Sequence, residues 1–237
     1  MIPSHTSLPK CKHHAIAPAR VSLAVTRGPV PATPTHFMLG ELHAYHDYAQ
    51  PDPPYQPLPP AARVLDAGWS DGNFTADIAA LGHRCHGIDL SAGGIACARE
   101  RYPGIESSAS SLNDDRRAAF PGVTAFDAIY SVEVIEHLYS PVTFARRAME
   151  ALRTGGLLIV TTPYWKYAKN LLLAITGRID RALTALWEGG HIKHWSRSTL
   201  TRLLTGAGFE FVAFHGRGRP IPFLWKNMVL VVRKPGA

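Results

Sequence analysis

The chain is predicted to be a doubly wound α/β fold, a mostly parallel seven-stranded sheet with an antiparallel C-terminal strand and a helical lid insertion. From Arg63 onward, short β-branched runs alternate with helical patterns, as a parallel sheet covered on both faces requires. The last two apolar runs have no helical pattern between them, which calls for a closing antiparallel hairpin. With 237 residues, 46% of them apolar, the chain can build one full-sized core and is too short for two large domains.

The elements follow in order. Residues 64–66 form the first strand, and 73–81 a helix with Phe74, Ile78 and Leu81 on one face and Gly82 as its stop. Residues 85–89 are the second strand, after which Ser91 caps a helix running to Tyr102. Residues 105–108 give a weak third strand and 126–131 a fourth, followed by a helix with Ser140 as cap and Pro141 at its first position. Thr154-Gly155-Gly156 reads as a turn into a fifth strand at 157–161. Beyond the insertion at 164–195, a helix at 198–204 ends at Gly206 and Gly208, and strands at 209–214 and 228–232 complete the sheet.

Most prolines precede Ala61, so residues 1–36 read as a disordered or extended tail and 37–60 as a short cap helix plus the PDPPYQPLPP linker, ahead of the main domain at 61–237. The absence of acids before Glu41 suggests a transit peptide, but the prolines spoil an amphipathic helix, and a dispensable tail is the better reading. Of the formal charge of +7, four charges (Lys10, Lys12, Arg20 and Arg27) lie in that tail, which leaves +3 for the remainder. A mildly basic domain without a dense Lys/Arg stripe does not suit a phosphate backbone, so no nucleic-acid partner is expected. Three cysteines without metal-ligand spacing, and no apolar run long enough to span a bilayer, point to a cytoplasmic setting.

Val64-Leu65-Asp66-Ala67-Gly68-Trp69-Ser70-Asp71-Gly72 places a strand, a glycine-containing turn and a helix start in succession, an arrangement that brings backbone N–H groups towards an anionic ligand. Asp89 follows at the end of the next strand, where a carboxylate accepts both hydroxyls of a ribose. At these residues the sequence resembles class I S-adenosylmethionine (SAM)-dependent methyltransferases, whose first motif reads roughly VLDxGxGxG. The resemblance implies a Rossmann-like sheet, SAM as cofactor and S-adenosylhomocysteine (SAH) as product. It also implies that Asp66 orients the methionine amino end, that Gly68, Ser70 and Gly72 form the turn beside the cofactor, and that Asp89 with its neighbour Leu90 holds the ribose. By their places in the fold, Ser110 and Ser111 are expected near the adenine and Ser131 near the methionine moiety. Two positions depart from the motif: Ser70 replaces the middle glycine, at a cost of about 1 kcal/mol if φ is positive there, and Trp69 replaces a small residue. Trp69 either flanks the cofactor or packs outside it.

Phe126-Asp127-Ala128-Ile129-Tyr130-Ser131-Val132-Glu133-Val134-Ile135-Glu136-His137-Leu138 closely resembles the FDxxxxxEVIEHL stretch of the ubiquinone-biosynthesis O-methyltransferase-like group. That resemblance continues through Gly155-Gly156, Thr161-Thr162-Pro163 and Gly190-His191, covers most of 61–232, and implies a small-molecule acceptor. A dinucleotide oxidoreductase would need G-x-G-x-x-G, which Gly68 and Gly72 do not supply. Nucleic-acid amino-methyltransferases carry an Asn/Asp-Pro-Pro-aromatic tetrapeptide after the fourth strand, where this chain has Ser131-Val132-Glu133.

Methyl transfer needs alignment more than covalent help, and a phenolic acceptor also needs a base. Glu133, His137 and His191 are the expected catalytic residues, with His194 a further candidate. No metal site is assigned; a divalent cation collected by Glu133, Glu136 and His137 is the lesser alternative. The insertion mixes Trp165, Tyr167, Leu171, Leu172 and Ile175 with Lys166, Lys169, Arg178 and Arg181, which suits a packed lid over an apolar acceptor or peripheral contact with an anionic membrane. Arg217-Gly218-Arg219-Pro220 reads as an exposed loop able to meet an acidic group. The expected function is methylation of an oxygen on a small aromatic or lipid-like acceptor. The alternative is a non-catalytic module of the same fold whose first motif has decayed at Trp69 and Ser70.

Overall fold

A computed structural model describes residues 58–236 except 71, 112, 115–118, 184–189 and 218–224. The expected tail, cap helix and most of the proline-rich linker lie outside the described residues, as do Asp71, Trp187 and the Gly218 to Pro220 part of the basic loop.

Seven strands form one sheet in the order β3-β2-β1-β4-β5-β7-β6. They are β1 (Arg63–Ala67), β2 (Arg84–Asp89), β3 (Glu106–Ala109), β4 (Phe126–Val132), β5 (Leu152–Pro163), β6 (Glu210–Arg217) and β7 (Asn227–Arg233). Neighbours from β3 to β5 pair in parallel, whereas β7 is antiparallel to both β5 and β6. The expected topology is therefore present, with the antiparallel strand inserted beside β5.

Alternation along the buried strands sends successive side chains to opposite faces. One face (Val64, Ala128, Tyr130, Ile159 and Val231) packs on α1 (Asn73–Ala80) through Phe74 and Ile78. The other (Leu65, Ile129, Leu158, Val160 and Leu230) meets Phe144 and Ala148 of α3 (Pro141–Ala151) and Leu200 and Leu204 of α6 (Arg197–Gly206). Between β2 and α2 (Ala92–Arg101) a smaller cluster holds Trp69, Ile95 and Ala98. Two short helices, α4 (Tyr167–Ile175) and α5 (Ile179–Leu183), make up the described part of the lid.

Two local expectations change. Thr154-Gly155-Gly156 lies inside β5 rather than before it: Gly155 takes φ 75°, the register with β4 shifts there, and Gly155 N–H and Gly156 C=O both bond to Lys234. Ser140 precedes Pro141 as expected, but its side chain makes no cap hydrogen bond; the helix start rests on proline's fixed φ instead. His137 belongs to a short 3-10 turn, Ile135–His137, and not to the α-helix that follows.

Candidate active site

In the sheet order, β1 lies between β2, whose crossovers run one way, and β4, whose run the other, and a crevice opens at the carboxyl ends where the direction reverses. The first turn, Asp89, Ser110, Ser111 and Ser131 all stand at this edge. Gly68 and Trp69 both donate their N–H to Ile88 C=O (2.9 and 3.1 Å), Ser70 donates to Asp89 Oδ2 (2.9 Å) and Gly72 donates to Trp69 C=O (2.9 Å). The turn was expected to offer its N–H groups to an anion, but each of these four is already engaged within the protein. Such a turn suits a ligand recognised by carbonyls and van der Waals contact rather than a pyrophosphate.

Asp89 ties two loops together: Oδ2 accepts from Ser70 N–H and Oδ1 from Ser91 N–H (2.8 Å). A carboxylate has about four acceptor sites, so each oxygen keeps capacity for a ribose hydroxyl. Beside it, Ser110 N–H bonds to Asp89 C=O (3.0 Å), Ser110 Oγ meets Ser108 Oγ at 2.7 Å, and Ser111 Oγ accepts from Asn113 N–H. Leu90 is 70% exposed next to Asp89, an apolar surface available to a flat ligand. Ser131 Oγ is buried at the end of β4 with no hydrogen-bond partner. Asp66 is only 2% exposed and accepts from Thr75 Oγ1, which places it under the turn, supporting it from below.

The two departures from the motif have structural causes. Ser70 adopts φ 49°, so this position does use the left-handed region in which glycine is free and serine is strained. Of the two places expected for Trp69, the interior packing favours the one outside the cofactor site: the residue is only 2% exposed. Its ring packs on Gly87 in the middle of β2, where a Cβ would stand 2.3 Å from Trp69 Cδ2, with Ile95 and Ala98 of α2 beside it. Gly87 is the residue that makes room for the indole. Gly68, at φ 114°, lies so close to Val134 that a Cβ would stand 2.2 Å from Val134 Cγ2.

Across the crevice, the segment after β4 is held by β5. Glu133 takes φ 52°, donates its N–H to Thr161 Oγ1 (3.1 Å) and accepts from the same hydroxyl at Oε1 (3.0 Å). Glu136 is 1% exposed; its Oε2 accepts from Thr162 Oγ1 (3.0 Å), and its Oε1 stands 3.9 Å from His191 Nε2. The His137 and His191 rings meet edge to face with centroids 5.0 Å apart, and Glu136 C=O accepts from Ile192 and Lys193 N–H, which fixes the His191 segment of the lid. Burial raises the Glu136 carboxyl above its ordinary range. Burial first, and then the charges of His137 and His194, lower His191. His194 is set back and its ring packs against Trp165, tilted, with centroids 4.2 Å apart.

Ligand atoms of Glu136, His137 and His191 lie within 4.8 Å of one another, a set able to hold a metal ion. The expected trio of Glu133, Glu136 and His137 is thus rearranged, with Glu133 turned to Thr161 and His191 in its place. Thr161 and Thr162, which position both carboxylates, are part of the family resemblance only and carry no expected role; the further signal for them is a pair of hydroxyls ending an otherwise apolar strand.

Residues 36–213 match the family described as a methyltransferase domain. The chain belongs to the class I SAM-dependent methyltransferases. It is 32% identical, over 68% of its length and 56% of the relative, to a protein of Mycobacterium tuberculosis named as a probable S-adenosylmethionine-dependent methyltransferase. It is 31% identical, over 69% of its length and 66% of the relative, to a ubiquinone biosynthesis O-methyltransferase of Ruegeria pomeroyi. The chain spans little more than half the length of the first of these relatives. A solved S-adenosylmethionine-dependent methyltransferase from Mesorhizobium loti shares the fold with a TM-score of 0.61 at 19% identity, covering 82% of this chain and 97% of that one.

As a methyltransferase of this class, the chain has a crevice that suits SAM. Spare acceptor capacity on Asp89 suits a ribose diol, the buried Ser131 hydroxyl at the end of β4 has no partner, and Gly68 keeps the turn free of a side chain. The expected cofactor residues therefore gather on one edge, with Asp66 beneath them, and the expected catalytic histidines gather on the other.

Proposed function

We propose that this methyltransferase modifies an oxygen of a small aromatic or lipid-like acceptor, with His191 as general base and Glu136 and His137 positioning it. The observation that carries this reading is the meeting of Glu136, His137 and His191 at the edge of the SAM crevice. SAM supplies a methyl group on a cationic sulfur. Asp89, Ser131 and the 68–72 turn hold it. His191, lowered by burial and by His137, stays neutral at pH 7 and keeps a lone pair for an acceptor hydroxyl. Once protonated, its imidazolium lies 3.9 Å from Glu136 Oε1, so the buried carboxyl stabilises the charge that forms. Thr162 fixes Glu136 for this role, and Glu133, bound to Thr161, shapes the loop rather than reacting.

Labelled methyl transfer from SAM to a catechol acceptor tests the assignment. His191→Asn is expected to lower turnover by about 10²-fold or more, the usual contribution of a general base, while SAH affinity is retained. Undiminished turnover would remove His191 from the reaction.

A second reading is favoured by the clustered ligand atoms of Glu136, His137 and His191: a divalent cation there would acidify a catechol directly. Exhaustive chelation separates the two, since a base mechanism survives it and a metal mechanism does not. The lid also supports peripheral membrane contact, because Tyr167 and Ile175 are 83% and 75% exposed on a helix that carries Lys169 and follows Lys166. Co-sedimentation with anionic vesicles at low salt is the expected result, and its absence would dismiss that role. No described helix is long and apolar enough to cross a membrane.

A further inference from the structure

A cavity of about 850 Å³ opens between α4 and α6, outside the crevice described above. Tyr164, Trp165 and Tyr167 give it aromatic walls, and Lys166, Arg197 and Arg202 line it with positive charge. No acidic residue is among its described walls, and neither Arg197 nor Arg202 has a carboxylate partner among the described residues. The Arg197 guanidinium is held by ring contact instead, 4.8 Å from the centre of Phe214 and 5.5 Å from Phe211. Stacking of this kind fixes a cation's position without neutralising it, so its N–H fork stays available to an anion. Asn170 Oδ1 and Thr201 Oγ1 are buried in the same walls without hydrogen-bond partners. Two arginines without a carboxylate partner among the described residues, beside aromatic surface, match an amphiphilic anion better than a neutral or cationic ligand.

The cavity also reaches towards the proposed transfer site. Trp165, one of its walls, packs against His194 in a tilted ring contact, and the charge of His194 acts on His191. Trp165 N–H bonds to Trp195 C=O (2.9 Å), and Trp195 Nε1–H points to Ile135 C=O, one residue before Glu136. The Trp165–His194 contact thus joins a wall of the cavity to the surroundings of His191.

We infer that this cavity binds the anionic, non-reacting end of the acceptor, a carboxylate or phosphate carried on an aromatic or apolar body. The inference rests on the reading of His191 and Glu136 as the transfer site.

Calorimetric titration of the full chain with 1-naphthyl phosphate, 2-naphthoate and neutral 1-naphthol tests it. At least one anion is expected to bind about tenfold more tightly than naphthol, roughly what one charge-assisted pairing contributes. Arg202→Gln and Arg197→Gln are each expected to erase most of that preference, with SAH affinity unchanged. Arg202 is exposed and outside the Phe211 and Phe214 stack, so its variant reports charge without disturbing packing. In proton NMR, the bound naphthyl ring is expected to shift the His194 Hε1 signal, assigned by its loss in His194→Gln. Equal binding of anions and naphthol, or a preference that survives both arginine variants, overturns the anion site. Anion binding with an unmoved His194 signal overturns its connection to the transfer site. Failure of the wild-type chain to bind SAH while the anion preference persists counts against the methyltransferase reading and leaves the anion site standing.

Discussion

Replacing Gly87 with alanine probes how the first turn is held. An added Cβ would stand 2.3 Å from Trp69 Cδ2 and 2.7 Å from Cε2, where ordinary contact begins at 3.4 Å. The indole would therefore have to retreat by about 1 Å in an interior packed to near-crystal density, against Ile95 and Ala98. Overpacking of this sort costs about 1–3 kcal/mol, and about 2 kcal/mol lowers Tm by roughly 4–8 °C in a domain of this size. Trp69 sits between Gly68 and Ser70, whose N–H holds Asp89, so a displaced ring also moves the cofactor edge. A rise in the SAH dissociation constant of about tenfold, or 1.4 kcal/mol, is expected by calorimetry. Urea unfolding of Gly87→Ala, Trp69→Phe and the double variant completes the test. The smaller ring should relieve the alanine, giving a favourable coupling of about 1–2 kcal/mol. If Gly87→Ala unfolds and binds SAH as the wild type does, or if the two changes simply add, Trp69 is not the anchor of the turn.

Ser70 already occupies the left-handed region, so Ser70→Val is expected to destabilise by about 1–2 kcal/mol, whereas Ser70→Gly should be neutral or slightly stabilising in thermal unfolding. Thr162→Val removes the donor to buried Glu136 Oε2 and should cost about 1–3 kcal/mol at pH 7, with a smaller loss near pH 4, where the carboxyl is protonated; urea titrations at both pH values read this directly. Because burial holds His191 below its ordinary 6.5, the unfolded chain takes up that proton first as pH falls. Stability should thus decline below pH 6.5, and His191→Asn should reduce the slope of Tm between pH 6.5 and 5.

Much of the fold was legible because its signals are local. The buried strands β1 and β4 show as short, mostly apolar runs, and Asp89 announces itself by its distance from the first turn. What depends on register was not legible. Thr161 reaches Glu133 only because β5 pairs with Val132 at that point, and nothing local marks either threonine as a partner for a carboxylate. Trp69 looked like decay of a motif because its compensation, Gly87, lies on the neighbouring strand opposite Asp66. Gly155-Gly156 looked like a turn because its bulge is stabilised by Lys234, at the far end of β7. The cavity between α4 and α6 arises from two segments separated by the rest of the lid, so its basic residues read as ordinary surface charge.

The central claim is that the crevice beside Asp89 binds an adenosyl group despite Trp69 and Ser70. Calorimetric titration with SAH of the wild-type chain and of Asp89→Ala tests it most directly. Micromolar binding by the wild type and a loss of about 100-fold in the variant are expected, two charge-assisted hydrogen bonds being worth roughly that much. A folded wild-type chain that does not bind SAH, or an Asp89→Ala variant that binds it equally well, would contradict the claim.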